Sequence, residues 1–355
     1  HSMNSNGIVA VRDREVTATD IERVIDAAQA VAIPQDQSIL HVLPQEYVVD
    51  NQEGIKEPVG MSGVRLEAKV HLVTGSVNAI QNIERCVQRC NLETDDIILE
   101  QLASSYAVLT DDERELGVCM VDIGGGTTDI AIFTDGSIRH TAVIPFGGNV
   151  ITEDIKEGCS IIEKQAELLK IKFGSAWPGE NKETEIVSIP GLRGREPKEI
   201  TLKNLSKIIH ARVQEIVEHV YLEIKNYGHE TVKGKLIAGI VLTGGGSQLK
   251  HLRQLVEYIT GMDARIGYPN EHLAGGSDDS VSSPAYATAV GLLMEGLERG
   301  VEMEEAAFAE NEISENSDAV ENENLAATEK KPVKRGKTFF EKFTERLKEF
   351  LDNAE

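Results

Sequence analysis

Val121–Ile130 reads VDIGGGTTDI: an apolar run ending in an aspartate, three glycines, two threonines and a returning apolar run. The preceding residues, Gly117–Ile123 (GVCMVDI), are apolar enough for a strand buried on both faces. Glycines let the backbone come close to an anion, and the exposed N–H groups of such a loop can cradle phosphate. Asp122, at the strand end, can hold a hydrated Mg²⁺. Thr127 and Thr128 can donate hydroxyl hydrogen bonds to phosphate. The competing reading of the same residues is an ordinary glycine hairpin.

The logic repeats about 120 residues later in Ile240–Leu252, IVLTGGGSQLKHL. A buried strand, predicted over Leu236–Leu242, ends in Gly244, Gly245 and Gly246, and a helix follows. Such a turn lets a ligand lie flat on the backbone, although a tight strand–helix connection would look the same. Two glycine loops, each at the end of a buried strand, carry more weight than either alone.

Between the loops the pattern predicts strands over Thr128–Phe133 and Ser137–Ile144, joined by a turn at Asp135–Gly136. Helices are predicted over Asn149–Lys156, Ile161–Phe173 and Leu202–Tyr227, with a loop and one short strand near Glu185–Ile189. A last helix is predicted over Ser283–Glu298. Upstream, Gly7–Val11 reads as a strand, and Thr17 caps a helix over Ala18–Ala32. Strands are predicted over Ser38–Leu43, Tyr47–Asp50 and the alternating Val64–Val73. A helix over Ser76–Arg89, a strand over Asp96–Leu99 and a helix over Leu102–Leu109 follow.

Composition narrows the function. The 355 residues carry a formal net charge of −23, 41% hydrophobic residues and only 5% aromatics. Phosphate-backbone binding needs a basic face, so nucleic acid is excluded as a main partner. The four cysteines, Cys86, Cys90, Cys119 and Cys159, complete no zinc set and read as reduced structural thiols. No apolar run reaches the roughly 18 residues of a membrane span, and no signal peptide is recognised. These features fit a cytoplasmic protein.

The end of the chain breaks with this texture. Val301–Glu329 is acidic, holds no Lys or Arg and reads as a disordered linker. A basic cluster, Lys330, Lys331, Lys334, Arg335 and Lys337, comes next. Four of the eight phenylalanines then fall in Lys337–Leu351, KTFFEKFTERLKEFL. On a helix, Phe339, Phe340, Phe343, Leu347, Phe350 and Leu351 form one apolar stripe. An interfacial helix would bury it in a membrane, with the basic cluster facing anionic lipid. A protein partner is the competing cover.

VDIGGGTTDI resembles the second phosphate motif of the actin-like ATPases, and LTGGGSQLKHL resembles their adenosine motif. ILEQLASSYAVL (Ile98–Leu109) and SPAYATAVGLLM (Ser283–Met294) are similar to their two interdomain connecting helices. FGGNVITEDI (Phe146–Ile155) with AELLKIKFG (Ala166–Gly174) resembles the segment that presents Glu and Lys to ribose and base. A narrower resemblance, to the bacterial FtsA family of cell-division proteins, rests on HVLPQEYVVDNQEGIKEPVGMSGVRLEAKVHLVTG (His41–Gly75) and LASSYAVLTDDERELGV (Leu102–Val118).

That resemblance implies an α/β, actin-like (ribonuclease H-like) ATPase fold with an FtsA-type 1C subdomain, an acidic disordered linker and a C-terminal amphipathic helix. It implies subdomain 1C at 1–70 and part of 1A at 71–115. Subdomain 2A would occupy 116–153 and 235–298, and 2B 154–234. The linker would span 299–336 and the membrane-targeting helix 337–352. The family's first phosphate loop is not found, and the reading expects the chain to start downstream of it.

ATP and Mg²⁺ are the implied cofactors. Asp122 would organise the metal through water. Gly124, Gly125, Gly126, Thr127 and Thr128 would wrap the phosphates, Glu167 and Lys170 would reach ribose or base, and Gly244, Gly245 and Gly246 would flank adenosine. Glu100 would orient the attacking water or act as general base. Simpler readings are a surface ion pair for Glu167–Lys170 and a strand-end carboxylate for Glu100. The implied partners are the acidic C-terminal peptide of the tubulin-like FtsZ, other divisome proteins, a second copy of the chain and anionic membrane lipid. Arg195, Lys203 and Arg212 would pair the peptide's carboxylates, unless they belong to a solvated helix face. The implied place is the cytoplasmic face of the bacterial inner membrane at the division site. The role is an ATP-binding adaptor with at most weak ATPase activity. The alternatives are a PilM-like pilus-assembly homologue and a kinase of the same superfamily.

Overall fold

The structure, a computed structural model, describes residues 1–190, 196–228, 236–269, 273 and 281–300. Its first part is a four-stranded antiparallel sheet of order β1-β4-β2-β3, from β1 (Ser2–Ala10), β2 (Gln37–Val49), β3 (Gln52–Ile55) and β4 (Arg65–Ser76). Helix α1 (Ala18–Gln29) packs on it through Val24 and Ala28. Thr17 starts that helix with a capping box in which Thr17 and Asp20 satisfy each other's backbone N–H. Leu66, Ala68, Val70 and Leu72 alternate along β4 and are all fully buried. Period-2 burial of this kind fixes the register of the strand.

A linking region holds α2 (Val77–Arg89), α3 (Glu100–Val108) and α4 (Asp111–Leu116). The second sheet has five strands in the order β11-β10-β5-β6-β7. They are β5 (Val118–Ile123), β6 (Thr128–Thr134), β7 (Ser137–Ile144), β10 (Gly239–Thr243) and β11 (Ala264–Ile266). β5, β6 and β7 form an antiparallel meander, and β10 runs parallel to both β5 and β11. A separate hairpin pairs β8 (Ile186–Ile189) with β9 (Lys198–Thr201). The remaining helices are α5 (Gly148–Cys159), α6 (Glu163–Phe173), α7 (Leu202–Gly228), α8 (Leu252–Thr260) and α9 (residues 287–300).

Strand alternation sorts the five-stranded sheet into two cores. Cys119, Val121, Ile123, Ile130, Ile132, Ile240 and Leu242 pack against α5, α6, α7 and α8. Val118, Met120, Ala131, Phe133 and Val241 pack the other way, against α3 and α9. Asp122 and Asp129 share the parity of this second set, so the strand period delivers both carboxylates to the α3 side.

Polar contacts join the two sheets. Ser2 Oγ donates to the Thr141 carbonyl (2.9 Å), and Gln45 Nε2 donates to the Ile138 carbonyl (2.9 Å). His71 is buried between Asn4 Oδ1 (2.7 Å) and Thr141 Oγ1 (3.2 Å). Burial, with His140 adding a nearby positive charge, pushes the His71 imidazole down to about 4. The unfolded chain therefore binds a proton first as pH falls. The share of stability that depends on neutral His71 is full above about pH 6.5 and is expected to fall by roughly 3 kcal/mol by pH 4. In His71→Asn, urea unfolding across this window should lose that share of the slope. An unchanged slope would contradict it.

Several local expectations change. Ser38–Leu43 and Tyr47–Asp50 are one strand, β2, whose register shifts at Ile39/His41 and Pro44/Glu46. The second irregularity accommodates Pro44, which has no N–H for the ladder. Asp96–Leu99 is not a strand: Asp96 Oδ1 accepts from Ile97 N (2.7 Å), and Leu99 N donates to His41 Nε2 (2.9 Å). β9 and β11 were not foreseen, being three to four residues long. The last helix begins with a 3₁₀ turn, Pro284–Tyr286. Cys119 and Cys159 are buried, Cys86 and Cys90 exposed, and all four are free thiols.

Candidate functional site

β5 and β10 lie side by side in register, Val121 beside Leu242 and Asp122 beside Thr243. Both glycine loops therefore leave the sheet at the same end. They open on one cleft of about 470 Å³, lined by Gly124, Gly125, Glu167, Lys170, Gly245 and Gly246. Residues distant in sequence thus share one cleft, while Asp122, Gly126, Thr127, Thr128 and Gly244 are not among its lining residues.

The first loop is braced from below. Gly124 N donates to the Thr127 carbonyl (2.9 Å), and the first two amides of α5, Gly148 and Asn149, donate to the Gly124 and Gly125 carbonyls (2.8 Å each). Among the described residues, the N–H groups of Gly125 and Gly126 meet no protein acceptor. Free amides in a braced loop suit an incoming anion. In the second loop Gly244 has φ +80°, and a Cβ there would stand 2.3 Å from Asp122 Oδ1. A Cβ on Gly246 would stand 2.5 Å from Ile123 Cγ2. The two loops touch, and only glycine permits the contact.

The opposite wall comes from α6. Lys170 Nζ donates to the Gly148 carbonyl (2.8 Å) and to Thr152 Oγ1 (2.8 Å), and pairs with Glu167 Oε2 (2.7 Å). Burial works to raise the Glu167 carboxyl, but Lys170 and Thr152 outweigh it and hold it below its ordinary value. The ion-pair reading is correct as to contact, and the pair lines the cleft.

On the α3 side, Asp122 Oδ2 accepts from Ser104 Oγ (2.8 Å). Asp129 accepts from Gln101 Nε2 and from Thr127 Oγ1 (2.7 Å each). Burial raises both carboxyls, and Asp129 adds like-charge repulsion at Asp122. Glu100, the first residue of α3, keeps solvent contact, yet the protein around it, then Asp129 and Asp122, raise its carboxyl as well. A nearby cation would relieve this concentration of negative charge. Among the described residues no three His, Cys, Asp or Glu side chains converge as a metal set. A divalent ion here would take further ligands from water or from its counter-ion.

Some expected contacts are otherwise engaged. Thr128 is fully buried and its hydroxyl donates to the Phe146 carbonyl (2.8 Å). The Thr127 hydroxyl is given to Asp129. Arg212 makes a two-pronged pair with Asp154 (2.6 and 3.0 Å) and a further bond to Glu215 (2.5 Å). It straps α7 to α5 instead of standing free for a peptide. Lys203 pairs with Glu183 (2.7 Å). Arg195 and the stripe Phe339, Phe340, Phe343, Leu347, Phe350 and Leu351 lie outside the described residues.

Asp129 was missed although its signal was present. A four-residue loop between Ile123 and Thr128 makes Asp122 and Asp129 cross-strand partners, as they are. Asn149 and Lys250 also line the cleft, and no residue pattern announced them.

Comparison with known proteins bears on the family and the fold. The profile for "Cell division protein FtsA" matches residues 119–291, and that for "SHS2 domain inserted in FTSA" matches residues 1–74. The chain is 54% identical over 298 residues to the cell division protein FtsA of Pseudomonas aeruginosa, covering 84% of this chain and 70% of that protein. It is 44% identical over 299 residues to the FtsA of Escherichia coli, covering 83% and 71%. Among solved structures, a PilM–PilN type IV pilus biogenesis complex matches with a TM-score of 0.57 at 15% identity, covering 83% of this chain and 76% of that one. MreB5 of Spiroplasma citri bound to ADP matches with a TM-score of 0.52 at 20% identity, covering 64% and 68%. At such identities the last two describe the fold, which is actin-like.

Proposed function

The chain belongs to the FtsA family of bacterial cell division proteins, and on that premise we propose that it is an ATP-binding adaptor. In this reading it binds ATP with Mg²⁺ in the cleft between its glycine loops and self-assembles through its core. It docks the FtsZ C-terminal peptide and holds FtsZ filaments at the cytoplasmic face of the membrane through its tail. The observation that carries the reading is the convergence of both loops and the Glu167–Lys170 pair on one cleft. MreB5, of the same fold, is known bound to ADP and to AMPPNP, which supports a nucleotide over other anions.

The free amides of Gly125 and Gly126 would receive phosphate oxygens. Gly245 and Gly246 would let the adenosine lie against the backbone, and Glu167 with Lys170 would hold its ribose or base. Asp122, with Asp129 beside it, would hold Mg²⁺ through water. When bound, the ion would neutralise phosphate charge. Glu100 would orient a water toward the phosphates, its raised carboxyl making it the better base. Thr127 would act through Asp129, while Thr128 holds the loop to Phe146.

FtsZ docking is assigned to the region 154–234. Arg212 enters it as a strut, since a peptide carboxylate would have to displace both Asp154 and Glu215. No helix among the described residues is long and apolar enough to cross a membrane, so attachment would fall to the phenylalanine stripe. Vesicle flotation with a labelled FtsZ tail peptide tests the adaptor role. The full chain on anionic vesicles is expected to carry the peptide upward, and a chain ending at Gly336 is not. Equal flotation of both chains, or of neither, would sink the membrane assignment. A peptide left behind by a floating chain would sink the docking assignment.

A further inference from the structure

We propose that Ser104 and Thr288 are positioning residues that set the cation affinity of this site, by clamping Asp122 at the crossing of α3 and α9. The proposal rests on the nucleotide reading of the cleft. Three observations carry it.

First, the crossing is a backbone contact. A Cβ on Gly291 of α9 would lie 1.7 Å from the Ala103 carbonyl oxygen of α3. At that approach the neighbouring hydroxyls must meet. Ser104 Oγ lies 2.9 Å from Thr288 Oγ1.

Second, the hydroxyl chain has a fixed direction. Ser104 has one hydroxyl proton and gives it to Asp122 Oδ2 at 2.8 Å. An ionised carboxylate can only accept. Thr288 must therefore donate to Ser104, and the relay runs Thr288 to Ser104 to Asp122. Each link polarises the next, with Ser104 fully buried and Thr288 partly so.

Third, the other carboxylate oxygen is confined too. Asp122 Oδ1 sits so close to Gly244 that any side chain there would collide with it. One oxygen is held by α3 and the other abuts the second glycine loop, so the carboxylate has one orientation. The helices that meet above it, α3 and α9, are far apart in the chain, Ser104 and Thr288 being 184 positions apart. A change in their crossing would break the Thr288–Ser104 bond and loosen the clamp that Ser104 holds on the carboxylate, so the helix crossing and the cation are coupled.

The test uses the full chain and two titrations: a fluorescent ATP analogue in EDTA, then Mg²⁺ into the protein–nucleotide complex. Removing the hydrogen-bond partner that orients a metal-holding group typically costs about ten- to a hundredfold in metal affinity. Ser104→Ala is expected to weaken Mg²⁺ by about tenfold while nucleotide affinity in EDTA stays within about twofold. Thr288→Val should weaken Mg²⁺ by about threefold, as loss of a neutral link. Thr288→Ser, which keeps the hydroxyl, should restore wild-type behaviour. A merely structural role would not separate Mg²⁺ from nucleotide, and Thr288→Ser would not rescue it. Unchanged Mg²⁺ affinity in Ser104→Ala with intact nucleotide binding overturns the proposal alone. Equal losses in both titrations overturn it as well. A folded wild type that binds no nucleotide, with or without Mg²⁺, overturns the functional reading and this proposal with it.

Discussion

Gly291→Ala is expected to lower the midpoint of thermal unfolding by roughly 5–10 °C, as overpacking of a closed helix crossing does. The added methyl would stand 1.7 Å from the Ala103 carbonyl oxygen and 2.5 Å from its carbon. Those atoms are backbone of α3 and cannot swing aside as a side chain would. The helices must separate, and the second core, where Leu102, Ala107, Ala287 and Val290 pack on the sheet, opens with them. Gly296 on the same helix is the control: nothing lies within 4 Å of a Cβ there. Gly296→Ala should be neutral, or stabilising by up to about 1 kcal/mol through helix propensity. Equal midpoints for the two variants would contradict the close crossing.

Asp122→Ala is expected to weaken Mg²⁺-dependent nucleotide binding by about a hundredfold, the upper end of what disturbed metal sites show. The same change should cost little stability without ligand. The buried carboxyl has one donor, Ser104, and suffers burial and the neighbouring Asp129, which together raise it. Removing a charge held at such a disadvantage relieves the folded state. Large functional loss with near-normal unfolding is the signature of a group kept for its ligand. Unchanged binding in a Mg²⁺ titration would remove Asp122 from the site. A collapse in stability equal to that of Gly291→Ala would make it a structural carboxylate.

How far these features could be read from sequence depends on the distance over which each is decided. The two loops were legible because a buried strand followed by glycines is a local signal, and β5 and β10 both carry it. Thr17 and its helix were legible for the same reason, as was the Asp135–Gly136 turn, where both residues have positive φ (54° and 72°). The bulged β2 was not, because its continuity past Pro44 depends on pairing with β4. Arg212 shows the limit most plainly. In sequence it is a cation on a long helix and a natural candidate for an acidic peptide. In the fold, Asp154 of α5, fifty-eight positions away, already occupies it. Ser104 and Thr288 stand 184 positions apart, and only the helix crossing makes them neighbours of Asp122.

One measurement bears most directly on the central claim, that the cleft between the two glycine loops takes a nucleotide. It is equilibrium titration of the full chain with a fluorescent ATP analogue in Mg²⁺, for wild type and Gly246→Val. Any side chain at Gly246 meets Ile123 at 2.5 Å and so forces apart the two loops that line the cleft. Saturable binding by wild type, displaced by unlabelled ATP and lost in Gly246→Val, is the expected result. No saturable binding by folded wild type, or binding indifferent to Gly246→Val, would contradict the account.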